Sequence, residues 1–234
     1  MSSSQMFCVK DSTSSEVCRC LEQFNENIKG TYKITKEQSG DNILHIFESF
    51  KGNVLVKLGE SHFYADKYLE FISKSLLKPA LFLFQGSDEF WYYELFIKGN
   101  MVDTMYSNLN IDIDRKKTPG IYKEKNGSPD TLAQYWSCNK AIIENYYRNR
   151  GDLNEHELNK KAYPEDEFTF GDEWQIIDFM DKLNIKYPFN ENGKILLNGI
   201  NYFMDNKYCQ LENYEEIMKE AWNEAFNEDL PDNW

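Results

Sequence analysis

Between residues 31 and 106, short runs of β-branched and aromatic residues alternate with turns that carry Gly, Asp or Asn. Residues 31–35, 43–50 and 53–58 read as antiparallel strands separated by Ser39-Gly40-Asp41 and Lys51-Gly52, because such runs suit a pleated ladder and such punctuation suits its turns. Tyr64, Tyr68, Ile72 and Leu76 then recur every four residues with Phe71 beside them, which predicts a helix capped by Ser61 and closed by Pro79. Residues 79–84, 90–97 and 101–106 form a β-meander that turns at residues 85–89 and at Lys98-Gly99-Asn100. In its aromatic run, alternation places Phe90, Tyr92, Glu94 and Phe96 on one face and Trp91, Tyr93, Leu95 and Ile97 on the other. Both faces are largely apolar, so this strand is expected to be central in the sheet and covered on each side.

The flanks read differently. Residues 1–15 are Ser-rich and polar, which predicts a frayed start, with a short helix over 17–24. Residues 108–127 are polar and read as a long loop. Ser128-Pro129 opens a helix whose apolar stripe (Leu132, Tyr135, Trp136, Ile142, Ile143, Tyr146, Tyr147) runs to about residue 149. Two further helices are expected over 172–184 and 213–226, the second with Asn213 and Glu216 as a capping box. The fold class is therefore α+β, with an antiparallel sheet of about five or six strands over residues ~30–110, a helix packed on it, and an acidic helical part after it. The domain reading is 1–30 as a polar N-terminal segment with a short helix, 31–127 as the sheet with one helix, and 128–234 as the acidic helical part. Trp136, Trp174 and Trp222 need covering, so the last two parts are expected to share a core.

Charge sharpens that division. Residues 1–150 carry 19 Lys+Arg against 19 Asp+Glu, whereas residues 151–234 carry 7 against 20, so the whole net charge of −13 sits in the second block. Such a surface repels nucleic acid and attracts basic partners. With 41% hydrophobic and 15% aromatic residues the chain can bury a core, much of it from rings. A signal peptide and any run of ~18 apolar residues are missing from the sequence, which predicts a cytoplasmic protein with no membrane contact. Cys8, Cys18, Cys20, Cys138 and Cys209 are odd in number and irregularly spaced, as expected of thiols in a reducing compartment. Cys18-Arg19-Cys20 lacks the paired partner of a zinc module, and the expectation is no metal and no cofactor.

The densest polar cluster is Glu165-Asp166-Glu167, followed by Asp172-Glu173, Asp178 and Asp181. The spacing of a calcium loop is missing. Acids at a helix start complement its dipole, so a solvated face is one reading of the cluster and a protein-binding surface the other. His45, His62 and His156 are scattered, and the chain has no Gly-x-Ser-x-Gly, phosphate loop or dinucleotide fingerprint. Enzymes of familiar class are thereby disfavoured.

Tyr93-x-Leu95-x-x-x-Gly99-x-x-x-Asp103 resembles a hairpin carried by uncharacterised bacterial proteins, and Tyr163-Pro-Glu-Asp-Glu-Phe168 ahead of Trp174 has a similar look. The resemblance rests on turn and core residues and implies no activity. By analogy, small proteins of this character include immunity proteins for secreted toxins. The functional expectation is a noncatalytic binding protein, an inhibitor or immunity protein that meets a basic protein surface through Glu165, Asp166, Glu167, Asp172 and Glu173. The alternative is an enzyme of unfamiliar type with a cleft between sheet and helices.

Overall fold

The computed structural model describes residues 4–27, 31–34, 43–48, 50–59, 65–86, 90–109, 126–190 and 196–205. Its centre is an antiparallel sheet built from β1 (Ser4–Val9), β2 (Thr31–Ile34), β3 (Ile43–Phe47), β4 (Val54–Leu58), β5 (Ala80–Gln85), β6 (Trp91–Ile97), β7 (Asn100–Tyr106) and β8 (Gly199–Asp205). The order across the sheet is β2-β8-β3-β4-β1-β5-β6-β7. Six of these strands lie in the region where about five or six were expected, and the α+β class holds. The other two come from the flanks.

Strand β1 corrects the expectation of a frayed start, since Ser4–Val9 is inserted between β4 and β5 with Phe7 opposite Val56 and Phe82. Four consecutive apolar residues explain it. Met6 and Cys8 join the core on one face, Phe7 and Val9 the core on the other, so a run too short to stand out among serines is buried on both sides. The same alternation sorts β6, where Trp91, Tyr93 and Leu95 face one core and Phe96 the other. Strand β6 lies one place from the sheet edge, with both faces covered as expected. The β6–β7 connection is a tight hairpin in which Lys98 and Gly99 both adopt positive φ, 53° and 84°, the geometry that matches strand twist.

One face is covered by α1 (Ser14–Asn27) and α2 (Ala65–Leu76). Helix α1 starts at a capping box, in which Thr13 Oγ1 accepts from Glu16 N (3.2 Å) and Glu16 Oε2 accepts from Thr13 N (2.9 Å). Val17, Leu21, Tyr68, Leu69 and Ile72 close over Phe7, Val9, Ile46, Val56 and Phe82.

The opposite face is covered by α3 (Pro129–Trp136), 3₁₀ turns at Lys140–Ile142, Glu144–Tyr147 and Arg150–Asp152, α4 (Glu155–Leu158) and α5 (Gln175–Lys182). The single long helix expected from residue 128 to about 149 is thus broken. Ser128 caps α3 and Pro129 follows as predicted, but Ser137 turns left-handed (φ 57°) and ends the helix, and its hydroxyl accepts from Lys10 Nζ at 2.8 Å. The apolar stripe survives through the 3₁₀ turns, where Ile143 and Tyr146 are buried with Trp91, Tyr93 and Phe179. Helix α5 occupies the centre of the predicted segment 172–184, and its Ile176, Phe179 and Met180 face the sheet. The predicted helix over 213–226, Ser61, His62, Trp222 and Cys209 lie outside the described residues.

Candidate functional site

The acidic cluster occupies the strap before α5 and the first turns of that helix. Its five sequence-predicted residues separate into different environments. Asp166 lies inside, with 3% of its surface exposed. Its Oδ2 accepts from Tyr146 Oη at 2.8 Å and from Tyr163 N at 3.0 Å, and Lys182 Nζ forms an ion pair with Oδ1 at 3.0 Å. Glu165 is exposed and donates nothing inward except its charge, which Lys182 meets at 2.6 Å. That hydrogen bond holds the Glu165 carboxyl below its usual range. Glu167 is exposed, while Asp172 and Glu173 are half-buried. Asp172 Oδ1 accepts from Trp174 N at 2.9 Å and so fixes the turn into α5.

Asp178 and Lys182 sit one turn apart on α5, and together they grip the strap. Asp178 accepts from Glu167 N at 3.0 Å and from Phe168 N at 2.8 Å. Burial nevertheless pushes its pKa up, against the pull of those two amides, with Asp166 and Glu167 adding repulsion. For Lys182, burial works against the ammonium, but Glu165 and Asp166 outweigh it and raise the pKa. Its Nζ also stands 4.9 Å from the Tyr163 ring centroid. The strap is therefore held from beneath by negative charge on its amides and positive charge on its carboxylates. Lys182, Tyr146 and Tyr163 were not singled out in the sequence; the only signal was the i,i+4 spacing of Asp178 and Lys182.

A second polar cluster joins the two ends of the hairpin motif. Tyr93 Oη donates to Asp103 Oδ2 at 2.6 Å and shares a proton-bearing contact of 2.7 Å with Tyr147 Oη. Asp103 also accepts from Ser128 N at 3.0 Å and 3.2 Å. Burial raises the pKa of Tyr93, Tyr147 and Asp103 alike. Gly127 lets this corner close: with φ 65°, it would bring a Cβ within 2.9 Å of Tyr147 Cε1 and 2.5 Å of Met105 Cβ. These contacts fasten the start of α3 to the edge strand β7.

His45 is buried and stacked against Phe47, and His156 is exposed on α4. Burial raises the thiol pKa of Cys8, Cys20 and Cys138, which makes poorer nucleophiles of them. Among the described residues, no group of three or more His, Cys, Asp and Glu side chains is disposed to hold a metal ion, and no helix is long and apolar enough to cross a membrane. Comparison of the chain with family models, with curated proteins and with solved structures finds no match.

Proposed function

We propose that this chain is a noncatalytic binding protein, an inhibitor or immunity-type protein that docks a basic protein surface on the strap before α5. The observation that carries the reading is the division of labour among the carboxylates. Asp166 and Asp178 are spent on holding the strap, and Glu165 and Glu167 are left exposed on a backbone that is already fixed. A preorganised charged surface loses less entropy on binding and steers an oppositely charged partner. Asp166 acts from beneath that surface as its anchor, and Glu165, Glu167 and Glu173 are its contact groups, with Asp172 shaping the turn. The remaining weight, an enzyme using a cleft between sheet and helices, competes with an interface filled by Trp91, Tyr93, Tyr146 and Phe179.

The test is purification of the native protein at low and at high salt with identification of what accompanies it, alongside the variant Glu165→Gln, Glu167→Gln, Glu173→Gln. A stoichiometric basic protein that is lost at high salt and lost from the folded variant supports the proposal. A partner retained by the variant moves the docking site elsewhere on the molecule.

A further inference from the structure

The apolar layer between the sheet and α5 ends in a polar row that the docking reading does not use. Register places Ser4 beside Gln85 and Gln85 beside Trp91. Alternation sets their side chains on the face of Met6, Leu83 and Tyr93, beneath α5. Gln175, the first residue of α5, is 2% exposed and its Oε1 accepts from Trp91 Nε1 at 3.4 Å. That bond settles the amide's orientation, because an indole N–H can only donate. Gln175 Nε2 is then enclosed with no hydrogen-bond partner, and Ser4 Oγ is enclosed in the same condition. Each such group costs about 1–3 kcal/mol if left unmade, and native interiors rarely leave them so.

The surroundings define what would satisfy them. Tyr187 lies close enough for Ser4 to act on its hydroxyl, although burial is the larger effect and pushes the phenol up to about 12. The Tyr187 ring meets Trp174 edge-on at 6.0 Å. Trp174 precedes α5 and supplies no side-chain cap to it, so the helix start also offers donors. Asp172 and Glu173 stand immediately before it and would repel an anion. From Ser4 to Trp91 is two strand spacings, roughly 10 Å, which suits a single ring.

We propose that this end of the layer binds one small, neutral, planar molecule carrying an amide or lactam group, whose carbonyl oxygen accepts from Gln175 Nε2 and whose N–H meets Ser4 Oγ. Aromatic side chains of Trp91, Trp174 and Tyr187 supply the apolar surroundings such rings favour. Uracil and benzamide are the probes, titrated into the full chain while the Trp91 indole and Gln175 side-chain amide resonances are followed. Saturable shifts of both resonances are expected, with affinity falling about tenfold or more in Gln175→Leu and in Ser4→Ala, since each loses one hydrogen bond. Glu173→Gln should bind as the parent does. Gln175→Leu could fail to fold, and the wild-type amide shift and the milder Ser4→Ala keep the test decisive in that case. Absence of any response to either probe at about 10 mM overturns the proposal, as does a response unchanged in both variants. Ordered water alone on Gln175 Nε2, seen as a bound-water contact that neither probe displaces, overturns it too.

Discussion

The two faces of the sheet are covered in different ways. On one, α1 and α2 lay regular amphipathic stripes over Phe7, Val56 and Phe82, and the backbone satisfies itself within the helices. On the other, short helices and 3₁₀ turns leave many backbone groups unpaired, and side chains reach in to meet them. Asn53 Nδ2 donates to the carbonyls of Leu183 and Asn184, Trp136 Nε1 donates to Leu183 O, and Asp178 accepts from two amides. A regular helix needs a matching apolar face and little else; an irregular layer needs named polar anchors, each with its own geometry. The candidate site lies in the second kind of covering, where a surface can be shaped residue by residue.

The largest expected effects should be common to both faces. Phe179→Ala beneath α5 and Leu69→Ala in α2 each empty a fully buried position and should cost about 3–5 and 2–5 kcal/mol, read from urea unfolding. Equal costs would show that apolar packing is shared. Asp166→Asn should then separate the faces, because it strips the buried counter-charge from Lys182 and should cost about 2–3 kcal/mol. A loss under half a kcal/mol would mean the strap is held by packing alone. Smaller still, Leu77→Gly and Ser137→Gly remove left-handed φ values of 54° and 57° from non-glycine residues and should each stabilise by roughly 1 kcal/mol, less at Ser137 where the Lys10 contact is lost.

Titration should divide the faces by sign. Glu16, at the cap of α1, is lowered to about 2, chiefly by its hydrogen bond from Lys78 and then by the Thr13 amide. Its contribution is present above the ordinary carboxylate range near 4.5 and is lost as pH falls through about 2. Asp103 and Asp178 are raised from 3.8 by burial. Protonating them favours the folded state, so their contribution improves as pH falls through their raised values toward 3.8 and worsens as pH rises through the same window. Carboxyl-carbon NMR titration, with stability measured against pH for Glu16→Gln, Asp103→Asn and Asp178→Asn, checks both signs. A low Asp178 midpoint would show the two amide donors outweighing burial.

Local pattern and tertiary contact contributed unequally to this molecule. The strands from residue 54 to 106, the turn at Lys98-Gly99, the two faces of Trp91–Ile97 and the Ser128-Pro129 helix start could all be read from the sequence, because period-two alternation, turn chemistry and capping act between near neighbours. Strand β1 was hidden by its serine-rich flank, and β8 by the distance in sequence to β2 and β3, the strands that pair with it. The break at Ser137 was equally hidden, since an apolar stripe continues across it whether the backbone is α-helical or 3₁₀. The acidic run was visible at once as composition. Which of its carboxylates face outward was decided by Tyr146, Asp178 and Lys182, brought to the strap only by folding. Charge is a property of the chain, but the direction in which a carboxylate is spent depends on donors that arrive from elsewhere, and that is set by the assembled layers alone.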